Sequence, residues 1–404
     1  MEGFFTIAET KSKSRPKGKI CSCASCGLGS KCLTPKFPPY GNFKKGILIV
    51  GETPSEIDDR AGIPWQGKSG KLLQRTLEGL GIDLYEDCLT THACKCHLID
   101  DRLPSNHEVD CCRKSVLQTV DTYMPKLILL LGTSAIYSLL GHRWKRDLEG
   151  ILKWRGWTIP DQDLKAWVCP IFHPSFVNQR KDGVEEVIWI QDLESAIEKL
   201  NDPFPKYKEP KIEVIEDLSV LDNIQSDMVA FDYETTGLKP HAKGHRIVCC
   251  SVADTVDHVY VFLMPDTKLG RKPFLRLLEN PRISKMAHNI KFEDTWSKVR
   301  LKQDVFWWQW DSMLAAHILD NRPGITGLKF QAYVQFGIID YSSELDPYLH
   351  SGGNSANDFN KIFDLIKTED GVDKLLHYCA LDSVYEYRLA MLQMKIMNYN
   401  FLPF

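Results

Sequence analysis

The chain of 404 residues is long enough for two or three domains, and its 43% apolar content suits ordinary packed cores. A net charge of −3 excludes a strongly basic nucleic-acid coat, although it allows a local basic groove. No apolar run approaches the roughly 18 residues of a membrane span. The N-terminus also lacks the apolar stretch of a signal peptide. These features predict a cytoplasmic protein with no membrane partner.

Cysteines are concentrated in the first third of the chain. Nine of the thirteen lie between Cys21 and Cys112. Because disulfides are rare in a reducing compartment, this pattern indicates a metal centre held by thiolates. Cys23 and Cys26 have the C-x-x-C spacing with which two sulfurs reach one metal, but the downstream cysteines do not repeat it. An iron–sulfur cluster is therefore favoured over zinc.

The chain divides into two α/β units. Residues 1–20 are polar and lysine-bearing, which predicts a flexible basic arm. From Gly46 onward, apolar strands alternate with amphipathic helices, a pattern typical of an α/β sandwich with a parallel sheet. The segment 201–210, NDPFPKYKEP, has three prolines and predicts a linker. The two predicted domains are therefore 21–200 and 211–404.

Several motifs of the first domain resemble, in order and spacing, those of the iron–sulfur (family 4-like) uracil-DNA glycosylases. The motifs are LIVGETPSE, IPWQGKSGKLL, LLLGTSAIYSLLG and FHPSF. The resemblance implies an α/β/α sandwich of the uracil-DNA glycosylase type that carries a 4Fe–4S cluster. By position in the family pattern, the implied cluster ligands are Cys23, Cys26, Cys96 and Cys112.

The same resemblance implies roles around a base pocket. Glu52 matches the carboxylate that positions water against the sugar, and His173 matches the histidine that stabilises the departing base anion. Trp65 stands where the family has a phenylalanine that stacks on the extruded base. His92 replaces an asparagine that reads the uracil edge, and histidine cannot offer the same donor–acceptor pair. The domain therefore either excises uracil or binds DNA without doing so.

The second domain begins with a strand that carries two acids. The run Met228–Phe231 predicts a buried strand that continues through Asp232 and Glu234. Side chains two apart on a strand share a face, so both carboxylates point the same way. Two close like charges favour a cation between them, and oxygen ligands suit Mg²⁺ or Mn²⁺.

Two predicted helices add further polar residues. Asn289 and Glu293 are four apart in MAHNIKFEDTW, and Tyr378 and Asp382 are four apart in LLHYCALDSVYEYRLAML. Each pair therefore shares one helical face. Four acids and a tyrosine that converge on one point predict a two-metal phosphodiesterase site.

These stretches resemble, in the same order, the proofreading 3′–5′ exonuclease domain of family-A DNA polymerases, of the DEDD type with a tyrosine. The resemblance implies a ribonuclease-H-like α/β fold with two Mg²⁺ or Mn²⁺ ions. It also implies in-line attack of an activated water on the terminal phosphodiester, which releases a nucleoside 5′-monophosphate. By motif position, the implied metal ligands are Asp232, Glu234, Glu293 and Asp382.

The remaining residues of the motifs receive roles from the same resemblance. Tyr378 is expected to orient the attacking water, and Asn289 is expected to contact the substrate. Glu293 stands where the family has an aspartate. Asp294 is the alternative ligand if the register shifts by one residue.

The sequence thus predicts a metal-dependent 3′–5′ DNA exonuclease for proofreading or repair, fused to a glycosylase-like DNA-binding module. In the resembled polymerases a larger polymerising domain follows the exonuclease. A separate family-A polymerase chain is therefore a plausible partner, as in a viral replisome acting in the host cytoplasm. Two alternatives stay open. One is a bifunctional repair enzyme with active uracil excision, and the other is a non-catalytic polymerase accessory that tethers DNA.

Overall fold

Two β-sheets, one in each half of the chain, organise the computed structural model. The predicted basic arm, 1–20, lies outside the described residues, as does Cys21. Within the described part, no helix is long and apolar enough to cross a membrane. The described residues are 22–180, 183–339, 341–351, 355 and 357–399.

The first half is built on a five-stranded sheet in the order β2-β1-β3-β5-β4. All neighbouring strands are parallel except β4, which runs antiparallel to β5. The sequences ILIVG of β1 and LILLL of β3 are entirely buried, as a sheet covered on both faces requires. The strands are β1 (Ile47–Gly51), β2 (Cys88–His92), β3 (Leu127–Leu131), β4 (Ile159–Asp161) and β5 (Ala166–Ile171).

Helices follow the strands of this sheet, as the alternating pattern predicted. Glu52 directly follows β1, and His173 comes two residues after β5. Because β1, β3 and β5 are parallel, these side chains lie at the same edge of the sheet. The helices of this half are α1 (Cys23–Cys26), α2 (Glu56–Ala61), α3 (Lys68–Gly79), α4 (Asn106–Tyr123), α5 (Thr133–Leu140), α6 (Ile151–Trp154), α7 (Pro174–Asn178) and α8 (Val184–Glu198).

The second half is built on a six-stranded mixed sheet in the order β11-β10-β7-β8-β9-β6. The predicted meander is confirmed, since β7, β8 and β9 are antiparallel neighbours. Strands β10 and β11 continue the sheet beside β7 in parallel. The strands are β6 (Lys211–Val214), β7 (Met228–Thr235), β8 (Ile247–Thr255), β9 (His258–Leu263), β10 (Ser284–Ala287) and β11 (Trp308–Asp311).

One long helix dominates the packing of the second half. It crosses strands β7, β8 and β9 and supplies much of the core on that face of the sheet, including Leu375, Cys379 and Val384. Burying this face against the sheet stabilises a helix of 26 residues far more than its intrinsic propensity does. The helices are α9 (Lys268–Glu279), α10 (Ile290–Trp296), α11 (Ser312–Leu319), α12 (Leu328–Phe336), α13 (Asp346–Leu349), α14 (Ile362–Ile366) and α15 (Gly371–Ile396).

Helix α12 belongs to the cores of both halves. Its Phe330 and Tyr333 pack with Trp144 and Trp154 of the first half. On another face, Ala332 packs against α15. A helix whose sequence places it in the second half therefore closes the core of the first.

The segment 201–210 contains no helix or strand. It is held against both halves, because the Tyr207 N–H donates to Gln162 Oε1 (3.2 Å) and the Tyr207 hydroxyl contacts that of Tyr385 (2.8 Å). The predicted linker is thus a packed connection between the two sheets.

Candidate active sites

The two acids of β7 lie beneath α15. Asp232 and Glu234 direct their carboxylates to the same face, where ligand atoms of both lie within 4.8 Å of each other and of the Cys379 sulfur. Burial raises the pKa of Asp232 to about 7, and the nearby Asp382 raises it further. Burial also raises the pKa of Glu234 well above its ordinary value. Such carboxylates are costly unless a proton or a cation compensates them.

Helix α15 supplies Tyr378 and Asp382 one turn apart, both buried. The Tyr341 hydroxyl donates to Asp382 Oδ1 (2.6 Å), and the Lys329 ammonium forms an ion pair with the same oxygen. Lys329 Nζ also lies 4.3 Å from the centre of the Tyr378 ring. Burial, followed by the charge of Asp382, raises the pKa of Tyr378 well above its ordinary value, so its hydroxyl is uncharged.

The start of α10 places the second-motif acid. Asp311 accepts the N–H groups of Asn289 (3.1 Å) and Ile290 (3.0 Å), which fixes a left-handed turn at Asn289 (φ 80°). Glu293 follows on this helix with 2% of its surface exposed. Burial and then Asp232 raise its pKa. Asp294 instead accepts hydrogen bonds from side chains outside the site, so Glu293 is the acid that faces Asp232.

The chemistry of the donors fits divalent cations. Within the described residues, Glu293 Oε2 is buried without a hydrogen-bond partner, as expected of an oxygen that a cation would complete. Cys379 is close enough to be a ligand, but burial raises the pKa of its thiol and keeps it neutral. A neutral, soft sulfur is a poor ligand for Mg²⁺, so the carboxylates are the fitting set.

Sequence reasoning missed three residues of this site. Lys329 and Tyr341 approach Asp382 from α12 and the segment after it, and no local spacing signals such a contact. Glu386 lies one turn beyond Asp382 on α15, so the spacing of four could have revealed it.

In the first half, Glu52 and His173 line one cleft of about 410 Å³, together with Trp65, Lys68 and Arg102. Glu52 Oε1 accepts the N–H of Ser134 (3.2 Å), and burial raises the pKa of its carboxyl.

His173 presents one ring nitrogen without a protein partner. Its Nδ1 accepts the N–H of Ser175 (3.2 Å), which leaves the proton of the neutral ring on Nε2. Nε2 has no partner within the described chain. Burial lowers the pKa of this histidine to about 3, and His92 contributes. The ring is therefore a neutral donor.

Trp65 covers His92. The two rings stack with centroids 5.5 Å apart and an interplanar angle of 26°, and they are 4% and 2% exposed. The indole also fills the space over Gly51, where an added Cβ would lie 2.7 Å from it. His92 is not among the residues that line the cleft. The side chain expected to read a base is thus separated from the cleft by the one expected to stack on it.

The cysteines of the first half gather in one cluster. Cys26, Cys96 and Cys112 pack together around Leu28, and α1 brings Cys23 to the same region with its side chain exposed. The hydrogen bond from Cys94 lowers the pKa of Cys112 to about 6. Several thiols converging from separate segments fit an iron–sulfur cluster or a zinc ion. Two cysteines outside the implied ligand set, Cys32 and Cys94, lie in the same cluster.

Known proteins match the two halves separately. Residues 38–198 match the family model of the uracil DNA glycosylase superfamily, and residues 212–395 match that of the 3′–5′ exonuclease. The type-4 uracil-DNA glycosylase of Archaeoglobus fulgidus is 32% identical over 175 residues, which are 42% of this chain and 84% of that protein.

One relative matches across both halves. A DNA polymerase of Bacillus phage SP01 is 25% identical over 397 residues, which cover 89% of this chain and 41% of the polymerase. The chain thus spans less than half of that relative. Among solved structures, Brucella melitensis NrnC with bound Mg²⁺ aligns at 17% identity with a TM-score of 0.34, covering 48% of this chain and 84% of that one.

The matches agree with the two sheets and with the two groups of acidic, histidine and cysteine side chains at their edges. The chain therefore belongs, through its N-terminal half, to the uracil DNA glycosylase superfamily, and its C-terminal half is a 3′–5′ exonuclease domain.

Proposed function

We propose that the chain is a 3′–5′ exodeoxyribonuclease that uses two divalent cations and acts in proofreading or repair. The observation that carries this proposal is the convergence of acids from three separate elements on one buried point. Asp232 comes from β7, Glu293 from α10 and Asp382 from α15. Such a set is costly as a structural element and useful as a cation site.

The residues of the chain divide the work of hydrolysis. When bound, the cations would polarise the phosphate and activate a water. Asp232, Glu234, Glu293 and Asp382 would hold the cations. Tyr378, uncharged at neutral pH, orients the attacking water through its hydroxyl. Lys329 and Tyr341 keep the Asp382 carboxylate in place.

The test is degradation of 5′-labelled DNA, single- and double-stranded, with and without Mg²⁺. We expect stepwise shortening from the 3′ end that requires Mg²⁺ and falls about a hundredfold or more in Asp232→Asn. RNA of the same sequence serves as the substrate control. Shortening that persists unchanged in Asp232→Asn would refute the proposal, and complete inactivity of the parent chain would favour a DNA-tethering accessory.

We further propose that the first half binds DNA without excising uracil. The support is the stack of Trp65 on His92, which leaves no opening between them for a base. Uracil release from uracil-containing DNA, abolished by Glu52→Gln, would contradict this proposal. It would establish the bifunctional repair enzyme instead.

A 4Fe–4S cluster held by Cys23, Cys26, Cys96 and Cys112 is part of the same proposal. It is supported by the gathering of thiols and by the kinship with type-4 glycosylases. Iron, sulfide and zinc analysis of the purified chain tests it. Zinc without iron or sulfide would contradict it.

A DNA polymerase is the partner that we infer for the exonuclease. The match with the phage DNA polymerase, which extends over both halves, supports this inference. The chain should remove a mismatched 3′ end that blocks an exonuclease-deficient family-A polymerase. Failure to restore extension would count against a proofreading role.

A further inference from the structure

Glu386 is a buried acid of α15 that has no role so far. It follows Asp382 by four residues and Tyr378 by eight, so the three side chains share one face of the helix. This face looks onto the sheet that carries Asp232. Glu386 is 1% exposed, which is unusual for a glutamate without a role in a site.

The surroundings of Glu386 are acidic. The groups that act most strongly on its carboxyl are Glu293, then Asp232, then Asp311. Burial together with these charges raises the pKa of Glu386 well above its ordinary value. The main-chain N–H of His288 is the favourable neighbour. One hydrogen-bond donor does not balance three nearby acids.

Both glutamates have an oxygen without a partner. In the described part of the chain, Glu386 Oε1 and Glu293 Oε2 are buried and accept no hydrogen bond. The nearby ammonium of Lys329 pairs with Asp382 and with neither glutamate. Two buried carboxylates with vacant lone pairs and no cationic side chain require a proton or a metal ion between them.

We propose that Glu386 is a further ligand residue of the exonuclease site, where it completes a second divalent-cation position together with Glu293 and Asp232. The ligand class is a hard cation such as Mg²⁺ or Mn²⁺, because every donor is a carboxylate oxygen. The inference rests on the proposed exonuclease function. It adds a fifth acid to the four that the sequence motifs supply.

The experiment is a titration of the full-length chain with Mn²⁺ in the absence of DNA, followed by electron paramagnetic resonance. We expect the parent to bind two Mn²⁺ ions. In Glu386→Gln, one of the two should bind roughly ten- to a hundredfold more weakly and the other should be unchanged. Asp373→Asn removes an exposed acid from the same helix and should bind as the parent does.

A second measurement separates ligation from folding. Without metal, Glu386→Gln should melt no lower than the parent, because it removes a buried charge while keeping the shape of the side chain. Glu386→Asp, which retains the carboxylate, should recover part of the affinity for the weaker ion. Melting below the parent together with loss of both ions would indicate a packing role and overturn the inference.

The two proposals fail in different ways. If Glu386→Gln binds both ions as the parent does while Asp232→Asn does not, the inference about Glu386 is wrong and the exonuclease site stands. If the parent binds no Mn²⁺ and does not shorten DNA, the proposed function fails, and the role of Glu386 fails with it.

Discussion

Single buried acids determine how the exonuclease half responds to pH. The pKa of Asp232 rises from 3.8 to about 7 on folding, through burial and then Asp382. Between these two values the folded chain holds a proton that the unfolded chain has released. The free energy of unfolding therefore falls as the pH rises through this window.

We expect the metal-free chain to be more stable to urea at about pH 5 than at about pH 7. Asp232→Asn should lose part of this dependence, since the amide does not titrate. Mg²⁺ at neutral pH should stabilise the parent but hardly affect Asp232→Asn. A parent whose metal-free stability rises steadily from pH 5 to 7 would show that Asp232 ionises freely.

The pocket of the glycosylase-like half depends on two aromatic side chains. Trp65→Phe combined with His92→Asn restores the residues expected of an active uracil-DNA glycosylase and removes the stack that closes the pocket. We expect the double variant to release uracil from single-stranded DNA when the parent does not. Adding Glu52→Gln should abolish the gain. If the double variant remains inactive but folded, the closed pocket is not the reason for inactivity.

At the scale of elements, one aspartate joins two helices to the sheet edge. Asp311 ends β11, caps α11 by accepting the N–H groups of Met313 and Leu314, and also accepts two N–H groups at the start of α10. Four donors on one carboxylate couple the position of Glu293 to the end of the strand. No helix of this length would hold that acid in place alone.

Asp311→Ala should cost about 2 kcal/mol or more in unfolding free energy, since it removes the cap of α11 and the acceptor for α10. It should also lower the exonuclease rate in Mg²⁺, because Glu293 loses its fixed position. Asp311→Asn keeps an acceptor oxygen and should retain much of both properties. Chemical denaturation and single-turnover hydrolysis measure the two effects. Equal behaviour of the two variants would contradict the role of the acceptor.

The elements that periodicity and motif spacing define were predictable from the sequence. Strand β7, helix α15 and the alternating strands of the first sheet are such elements, because local pattern determines them. The contact of Lys329 with Asp382, the stack of Trp65 on His92 and the vacant oxygen of Glu386 were not predicted. Each depends on which face of one element meets another, which a single sequence does not encode locally.

At the scale of the whole molecule, the two halves are linked through buried charge. Asp161 of β4 is fully buried and accepts two bonds from Arg143, at 2.7 and 2.8 Å. The Tyr333 hydroxyl of α12 donates to the same carboxylate at 2.8 Å. Because α12 also carries Lys329, which pairs with Asp382, the first half helps to position a side chain in the exonuclease site.

Tyr333→Phe should therefore act on both halves. Removing a hydrogen bond to a buried charge should cost about 1.5–3 kcal/mol. Loss of the visible absorbance of the proposed cluster and loss of exonuclease activity should then shift together on heating. Tyr348→Phe, a partly buried tyrosine of α13 away from this contact, is the matched control and should melt as the parent does. Two separate transitions, of which Tyr333→Phe shifts only one, would mean that the halves unfold independently and that α12 does not couple them.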